Sequence, residues 1–279
     1  MRAAHESIRY LGQSAIPSVT LLNFPKSPFE LISGSSPQFT ELLTDFAGPD
    51  AVSGVRAVTP YLVIVKNNST TTARSLTVIW ATVNASGQPR QTTVQYEVKP
   101  GISPGEMALM APISGLCLYM ANSATDQNAA HSKPPTLRNT PLLNDTMANF
   151  LRNYTQGPEV SISLDSVVFR DNTFLGPDHA GKFEEENRER RIKREIVTEL
   201  LHRAPSERSA YLRRTIDDPQ SQNALADSEL GQRHRIAEML LPATAPGRDE
   251  ALFRRSMENI LNDEAHPLRR GTQSWTEDK

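Results

Sequence analysis

The amino-acid sequence predicts two different halves, an antiparallel β-sandwich of immunoglobulin-like architecture and a C-terminal α-helical region. The first observation behind this prediction is a composition change near Gly181, since residues 182–279 hold 18 of the 30 Lys and Arg and 19 of the 32 Asp and Glu. The second is the alternation of apolar and polar residues before that point, and the third is the helical spacing of apolar residues after it. We therefore expect a flexible N-terminus over 1–14, a β-sandwich domain with helical insertions over 15–178 and a charged α-helical region over 179–279.

Six runs in the first half have the composition of β-strands, with β-branched residues in alternation. Residues 16–22 suit an edge strand, because Pro17 has no N–H to donate to a neighbouring strand. The unbroken apolar run over 61–65 suits a central strand covered on both faces, and Trp80 is expected to anchor the core. The remaining strands are predicted over 76–83, 92–98, 107–113 and 161–169, with turns at 67–69, 85–87 and 99–101.

Two helices are predicted inside this half. Ser36 is a suitable N-cap residue and Pro37 suits the first helical position, and four apolar residues follow at helical spacing. These four are Phe39, Leu42, Leu43 and Phe46. A second helix is predicted between Asp145 and Gly157. Residues 121–144 are expected to form a long loop, which is either mobile or functional.

Residues 182–203 predict one long helix, with Asp178 as its N-cap. Its apolar residues gather between Ile192 and Leu201, so we expect its first half to project into solvent or to span between two bodies. Opposite charges recur four residues apart in the order that favours a helix. The pairs are Glu184–Arg188, Glu186–Arg190, Glu189–Lys193 and Glu199–Arg203.

Prolines after residue 203 divide the rest of the chain into three shorter amphipathic helices. Ser206 is expected to cap the first, and the last is expected to open near Gly247–Asp249. The apolar stripe of the middle helix consists of Leu230, Ile236, Met239, Leu240 and Leu241. None of these helices is long enough to be stable alone. Their apolar faces therefore pack on one another in an intramolecular bundle, on the β-sandwich, or on a partner.

Residues 101–105 (Gly-Ile-Ser-Pro-Gly) match the G-x-S-x-G nucleophile elbow of serine hydrolases, with Ser103 as the nucleophile and a remote histidine such as His131 or His179 as the base. The oxyanion hole of that elbow uses the N–H of the residue after the serine, and Pro104 has none. The segment after the motif also has the pattern of a strand instead of the required helix. We therefore interpret the motif as a loop between strands and keep the hydrolase as the alternative.

No catalytic, cofactor-binding or metal-binding residue is assigned from the sequence. The six histidines have no metal-ligand spacing, and the glycines form no phosphate-binding loop. Asp178, His179 and Glu184 are near enough in sequence to offer metal ligands, but Asp178 has the simpler role of a helix cap. The single cysteine, Cys117, excludes an intramolecular disulfide and is expected to be a buried inert thiol, with a reactive thiol as the alternative. We expect no metal and no cofactor.

The charge and hydropathy of the chain bear on its partners. The net charge of −2 is shared between the halves, so neither is a basic surface for nucleic acid. The first twenty residues hold no continuous apolar segment, and no run is long enough to span a membrane. We expect a soluble protein without a signal peptide, cytoplasmic by default.

Residues 160–183 resemble a segment of uncharacterised bacterial proteins in which a strand of the type LDxVVFxDGTFxGPD leads from a sandwich-like region into a charged helix. The matching residues are Leu164, Asp165, Val167, Val168, Phe169, Asp171, Thr173, Phe174, Gly176, Pro177 and Asp178. Asn172 stands where that pattern has Gly, and both residues tolerate a tight turn. The resemblance implies a hairpin turn at Asp171–Asn172 and a hinge at Asp178, and it implies no activity.

The sequence as a whole predicts a non-enzymatic protein-interaction or scaffold module. Its partner is expected to be a protein, either a second copy or another chain, bound through the C-terminal amphipathic helices. A serine hydrolase using Ser103 is the alternative. Nucleic-acid binding through the arginine-rich helices is a third hypothesis, which the interleaved glutamates disfavour.

Overall fold

The computed structural model describes residues 17–48, 52, 58–83, 88–112, 118–120, 159–225 and 228–271. The chain divides into two compact units, one comprising residues up to Ala180 and from Gly271 onward, and the other comprising Gly181–Arg270. The first, here called the sheet unit, contains two β-sheets, and the second, here called the helical unit, contains a series of α-helices. The predicted order of a strand-rich half followed by a helical half is therefore confirmed.

The sheet unit has two sheets that differ in size. In chain order its strands are β1 (Ser18–Leu22), β2 (Phe29–Ser33), β3 (Val63–Asn67), β4 (Ala73–Val83), β5 (Pro89–Ile102), β6 (Met107–Met110), β7 (Leu118–Met120), β8 (Glu159–Phe169) and β9 (Thr173–Leu175). Within this unit the larger sheet has the order β9-β8-β4-β5, with β1 also paired to β8, and the smaller sheet has the order β2-β3-β6-β7. β1 pairs with β8 in parallel, whereas the other pairs are antiparallel. The expectation of a purely antiparallel arrangement is therefore wrong at this one pair, whose strands are far enough apart in the chain to allow a parallel crossover.

Both sheets contribute to one hydrophobic core. Trp80 of β4 is fully buried, and its Nε1–H donates to the carbonyl oxygen of Tyr61 at 2.9 Å. Helix α1 (Pro37–Ala47) adds Phe39 to the same core. Ser36 caps α1 by accepting the Phe39 N–H, as predicted. The core position of Trp80 is likewise confirmed.

Two segments of the sheet unit differ from the sequence prediction. Residues 99–101 belong to β5 and not to a turn. The partners of Ala73 and Ser75 on β5 are Ile102 and Glu97, so the residues between those partners form an irregularity in the pairing. The predicted strand over 61–65 begins later, because Thr59–Tyr61 form a 3-10 turn.

The hairpin between β8 and β9 turns at Asp171 and Asn172, as the resemblance implies. Asn172 has a φ of 67° and its N–H donates to the carbonyl oxygen of Phe169 at 3.0 Å. The carboxylate of Asp171 accepts the N–H of Thr173 at 2.9 Å. Asparagine tolerates this left-handed conformation better than most residues, which suits Asn172 to this turn position.

Several sequence predictions fall outside the described residues. They are the flexible N-terminus over 1–14, the turn at 85–87, Cys117, the long loop over 121–144 and the helix expected after Asp145.

The helical unit contains helices α2 (Lys182–His202), α3 (Pro205–Asp217), α4 (Pro219–Gln222), α5 (Glu229–Leu240) and α6 (Glu250–Asp263), a 3-10 turn over Leu241–Thr244, and a two-residue strand, β10 (Arg269–Arg270). Their apolar residues pack against one another in a second core, formed by Ile192, Ile196, Val197, Leu200, Leu212, Ile236, Ala237, Leu240, Phe253 and Met257. Most of the apolar stripes are therefore covered inside the unit itself. Of the alternatives for these faces, the intramolecular bundle accounts for the residues of this core.

Two predicted helix caps are wrong. Gly181, with a φ of 67°, occupies the N-cap position of α2, and Asp178 lies three residues before it with a φ of 63°. At α3 the N-cap position belongs to Ala204, and Pro205 begins the helix ahead of Ser206. In both cases the helix begins at a different residue from the one that side-chain capping preferences predict.

The first half of α2 does not project freely into solvent, which is one of the two alternatives expected for it. Asn187 accepts the N–H of Leu268 through its side-chain oxygen at 2.8 Å. Arg190 is buried and donates to the carbonyl oxygen of His266 at 3.1 Å. The first half of α2 is thus contacted by the segment that follows α6, through these hydrogen bonds and through the Arg270 guanidinium, which lies 4.5 Å from the centre of the Phe183 ring.

Candidate interaction groove

The helical unit concentrates arginine on one part of its surface. Residues 181–270 carry 17 Lys and Arg and 17 Asp and Glu, so the unit is neutral as a whole. Two adjoining depressions of about 800 and 440 Å³ share Tyr211 and Arg233 in their linings. We call them the larger and the smaller depression, and together the arginine groove. The charged residues that line the groove are Arg190, Arg191, Arg194, Arg203, Arg214 and Arg233, with Glu195, Glu199, Asp218 and Glu264.

A network of ion pairs joins α2 to α5 at the groove. Arg191 donates to Glu195 at 3.0 Å and to Glu229 at 2.8 Å. Arg233 pairs with Glu195 and lies 3.5 Å from Glu229. The hydrogen bonds to Glu229 and Glu195 raise the pKa of Arg191, and the bond from Arg191 lowers the pKa of Glu229. The charges of these four residues therefore balance one another and hold the wall of the groove in place.

Two arginines of the groove have no such partner among the residues that the structure describes. Arg194 on α2 and Arg214 on α3 are both exposed. Neither makes an ion pair or a hydrogen bond with any residue that the structure describes. Each guanidinium presents its donors to solvent and is able to receive an oxyanion from outside the unit.

A second set of ion pairs involves Arg190 and Glu264, which both line the larger depression. Glu264 lies 3.3 Å from Arg190 and 3.1 Å from Lys193, and Lys193 also lies 3.5 Å from Glu189. Burial opposes the charged form of Lys193, but the attraction of Glu264 and Glu189 outweighs burial and raises the pKa of Lys193. These charges hold the segment after α6 against α2.

The smaller depression has an apolar surface as well as arginines. The guanidinium of Arg203 lies 4.4 Å from the centre of the Tyr211 ring, a cation–π contact. Burial, followed by the charge of Glu199, raises the pKa of the Tyr211 phenol, so the hydroxyl stays protonated at neutral pH. Ile196 is buried, whereas Leu230 is 40% exposed although the sequence placed it in the apolar stripe of its helix.

Ser103 lies in the turn between β5 and β6. Its backbone N–H donates to a carboxylate oxygen of Glu106 at 2.7 Å, and the Glu106 N–H donates to the Ser103 carbonyl oxygen at 3.0 Å. The chain then enters β6, so the helix that a nucleophile elbow requires is replaced by a strand. Of the two histidines considered as its base, His179 contacts Asp165, and His131 lies outside the described residues.

The buried carboxylate of Asp165 is a structural centre that sequence analysis missed. It accepts the backbone N–H groups of His179 and Ala180 at 2.9 and 3.1 Å, and the Nδ1 of His179 lies 3.0 Å from it. Asp165 lies on β8 where the register with β4 shifts. The signal was an acidic residue inside a predicted strand, between Leu164 and the apolar run over 167–169, because a buried carboxylate needs specific donors.

Among the residues that the structure describes, no group of three or more His, Cys, Asp and Glu is placed to hold a metal ion. No helix among them is long and apolar enough to cross a membrane. Comparison of the chain with protein-family models, curated proteins and solved structures found no match. The likeness of residues 160–183 to bacterial proteins therefore stays a resemblance of sequence.

Proposed function

We propose that this chain is a non-enzymatic protein-interaction module that binds an acidic segment of a partner protein in the arginine groove. The observation that carries the proposal is the charge of the groove. Six arginines and four carboxylates line it, on a unit whose total charge is zero. A local surplus of arginine on a neutral body attracts a partner of opposite charge to one place.

The chemistry of the groove suits carboxylates. A guanidinium binds a carboxylate through two parallel hydrogen bonds, which gives both strength and orientation. Arg194 and Arg214 have these donors available, and the ion pairs around Arg191 and Arg233 keep the groove in shape before a partner arrives. A preformed site avoids part of the entropy cost of ordering side chains on binding.

The interleaved carboxylates favour a protein partner over a nucleic acid. A phosphate backbone carries a regular series of negative charges, and its binding requires a matching surplus of Lys and Arg. In the groove, Glu195, Glu199 and Glu264 would lie close to such a backbone. A protein segment places its carboxylates singly and is able to avoid them.

The sheet unit is proposed to be the structural part of the protein. Its two sheets share one core, which supports a β-sandwich of immunoglobulin-like architecture. The position of Ser103 in the turn before β6 gives the serine-hydrolase alternative no support.

The test is binding of a dye-labelled peptide of alternating Asp and Glu to the full chain, followed by fluorescence anisotropy. We expect saturable binding that weakens at least about tenfold in the double variant Arg194→Glu, Arg214→Glu. The matched control is Arg213→Glu, Arg255→Glu, which changes the net charge equally at exposed arginines outside the groove.

Three outcomes would contradict the proposal. The first is no binding of the acidic peptide. The second is an equal loss of binding in both double variants, because this would show attraction to net charge alone. The third is tighter binding of a short DNA duplex than of the peptide in a competition experiment.

A further inference from the structure

The two depressions of the arginine groove differ in chemistry. The larger one is lined almost entirely by charged and polar side chains. The smaller one includes Ile196, Tyr211 and Leu230 in its lining, together with arginines. Binding sites that select one ligand combine an apolar surface with a few placed polar groups, and the smaller depression has this combination.

Leu230 contributes a partly exposed apolar side chain to the smaller depression. It is 40% exposed, whereas Ile236 and Leu240 on the same helix are nearly fully buried in the helical core. Ile196, which lines the same depression, is buried. An apolar side chain from a partner would therefore bring Leu230 out of contact with water.

Tyr211 gives this surface a rigid aromatic wall. Its ring is held by the Arg203 guanidinium at 4.4 Å, and Arg203 is itself held by Glu199 at 2.9 Å. An aromatic ring with few rotatable bonds loses little entropy when a partner packs on it. Tyr211 also lines the larger depression, so a segment that contacts this ring is in reach of both.

Arg214 and Arg194, which pair with none of the described residues, lie one in each depression. Arg214 lines the smaller depression, and Arg194 lines the larger one. We infer that the partner segment carries an apolar side chain between acidic residues: the apolar side chain enters the smaller depression against Leu230 and Tyr211, and the flanking carboxylates bind Arg214 and Arg194. This inference rests on the proposed function and names the sequence pattern that the groove selects.

The test compares two dye-labelled heptapeptides of equal charge on the full chain. Both have three acidic residues on each side of the central residue, which is Leu in one and Ser in the other. We expect the Leu peptide to bind at least about tenfold more tightly than the Ser peptide. Leu230→Ala is expected to remove most of this preference and to leave the affinity for the Ser peptide unchanged.

Leu252→Ala is the matched control, because Leu252 is 63% exposed on α6 and does not line the groove. It is expected to leave both affinities unchanged. Equal affinity for the two peptides would overturn the inference while the proposed function stands. A Leu preference that survives Leu230→Ala would also overturn it, because the apolar side chain would then bind elsewhere. Failure of both peptides to bind would refute the proposed function itself.

Discussion

The carbonyl oxygen of Asp165 occupies the space that a side chain on Gly176 would need. A Cβ atom at residue 176 would lie 2.1 Å from that oxygen, and Gly176 has a φ of 120°. The chain after β9 therefore passes against the backbone of β8 as closely as atoms allow. This close approach brings the N–H groups of His179 and Ala180 to the Asp165 carboxylate. Gly176 and the Asp165 carboxylate thus together fix the path of the chain after β9.

We expect Gly176→Ala to destabilise the sheet unit by about 3 kcal/mol, because the Cβ collides with backbone and the φ is unfavourable for alanine. The measurement is urea unfolding followed by the fluorescence of Trp80, which is buried in that unit. Gly105→Ala is the control, since Gly105 has a φ of 82° and open space around it. It is expected to cost about 1 kcal/mol. Equal losses in the two variants would contradict the steric argument.

Asp165→Ala is expected to cost the sheet unit about 2 kcal/mol, because two backbone N–H groups lose a charged acceptor in a buried position. Asp171→Ala removes a carboxylate that also accepts a backbone N–H, from Thr173, but at an exposed turn. This control is expected to lose well under half as much stability in the same urea measurement. An equal loss would show that burial of the Asp165 carboxylate is unimportant.

Asn67→Asp tests the turn between β3 and β4. The Asn67 amide is fully buried, and its Nδ2 donates to the carbonyl oxygens of Thr71 and Ile102 at 2.9 and 2.8 Å. A carboxylate has no hydrogen to donate, so we expect a loss of about 3 kcal/mol at neutral pH and partial recovery in acid, where the new carboxyl group is protonated. Asn68→Asp makes the same change at an exposed neighbour and should alter stability little. A pH-independent loss at residue 67 would speak against this account.

The pair of Arg208 and Glu250 predicts acid sensitivity in the helical unit. Arg208 is buried and donates to both carboxylate oxygens of Glu250, at 2.7 and 2.9 Å. These hydrogen bonds lower the pKa of Glu250 below 4.5. A carboxyl group with a lowered pKa in the folded protein stabilises the fold above pH 4.5, and this contribution is lost as the pH falls through the lowered value.

We therefore expect Glu250→Gln to lower thermal stability at neutral pH and to show a smaller further decrease on acidification than the unaltered chain. Far-UV circular dichroism measures this, since it follows the helices. Glu258→Gln on the same helix is the control, because Glu258 is exposed. It should leave the pH dependence as it is. A parallel pH dependence in the unaltered chain and in Glu250→Gln would contradict the role of this pair.

Much of the secondary structure could be predicted because its causes are local. The Ser36–Pro37 start of α1 and the Asp171–Asn172 turn depend on neighbouring residues and were predicted correctly. The pairs Glu189–Lys193 and Glu199–Arg203 formed for the same reason. Asp178 failed as a helix cap because packing against β8 determines the path of the chain there.

The order of the strand-rich and helical halves follows from the amino-acid sequence alone, since composition and periodicity act over short distances. The sequence also shows that residues 182–279 carry nearly equal numbers of opposite charges, 18 Lys and Arg against 19 Asp and Glu. Which of the arginines form ion pairs depends on how the helices pack. Arg191 forms an ion pair with Glu229, 38 positions away in the chain. Arg194 on the same helix forms no ion pair in the described part of the chain. An arginine reaches across to another helix only where packing brings a carboxylate within a few ångströms, and the helical pattern of one segment carries no information about that distance.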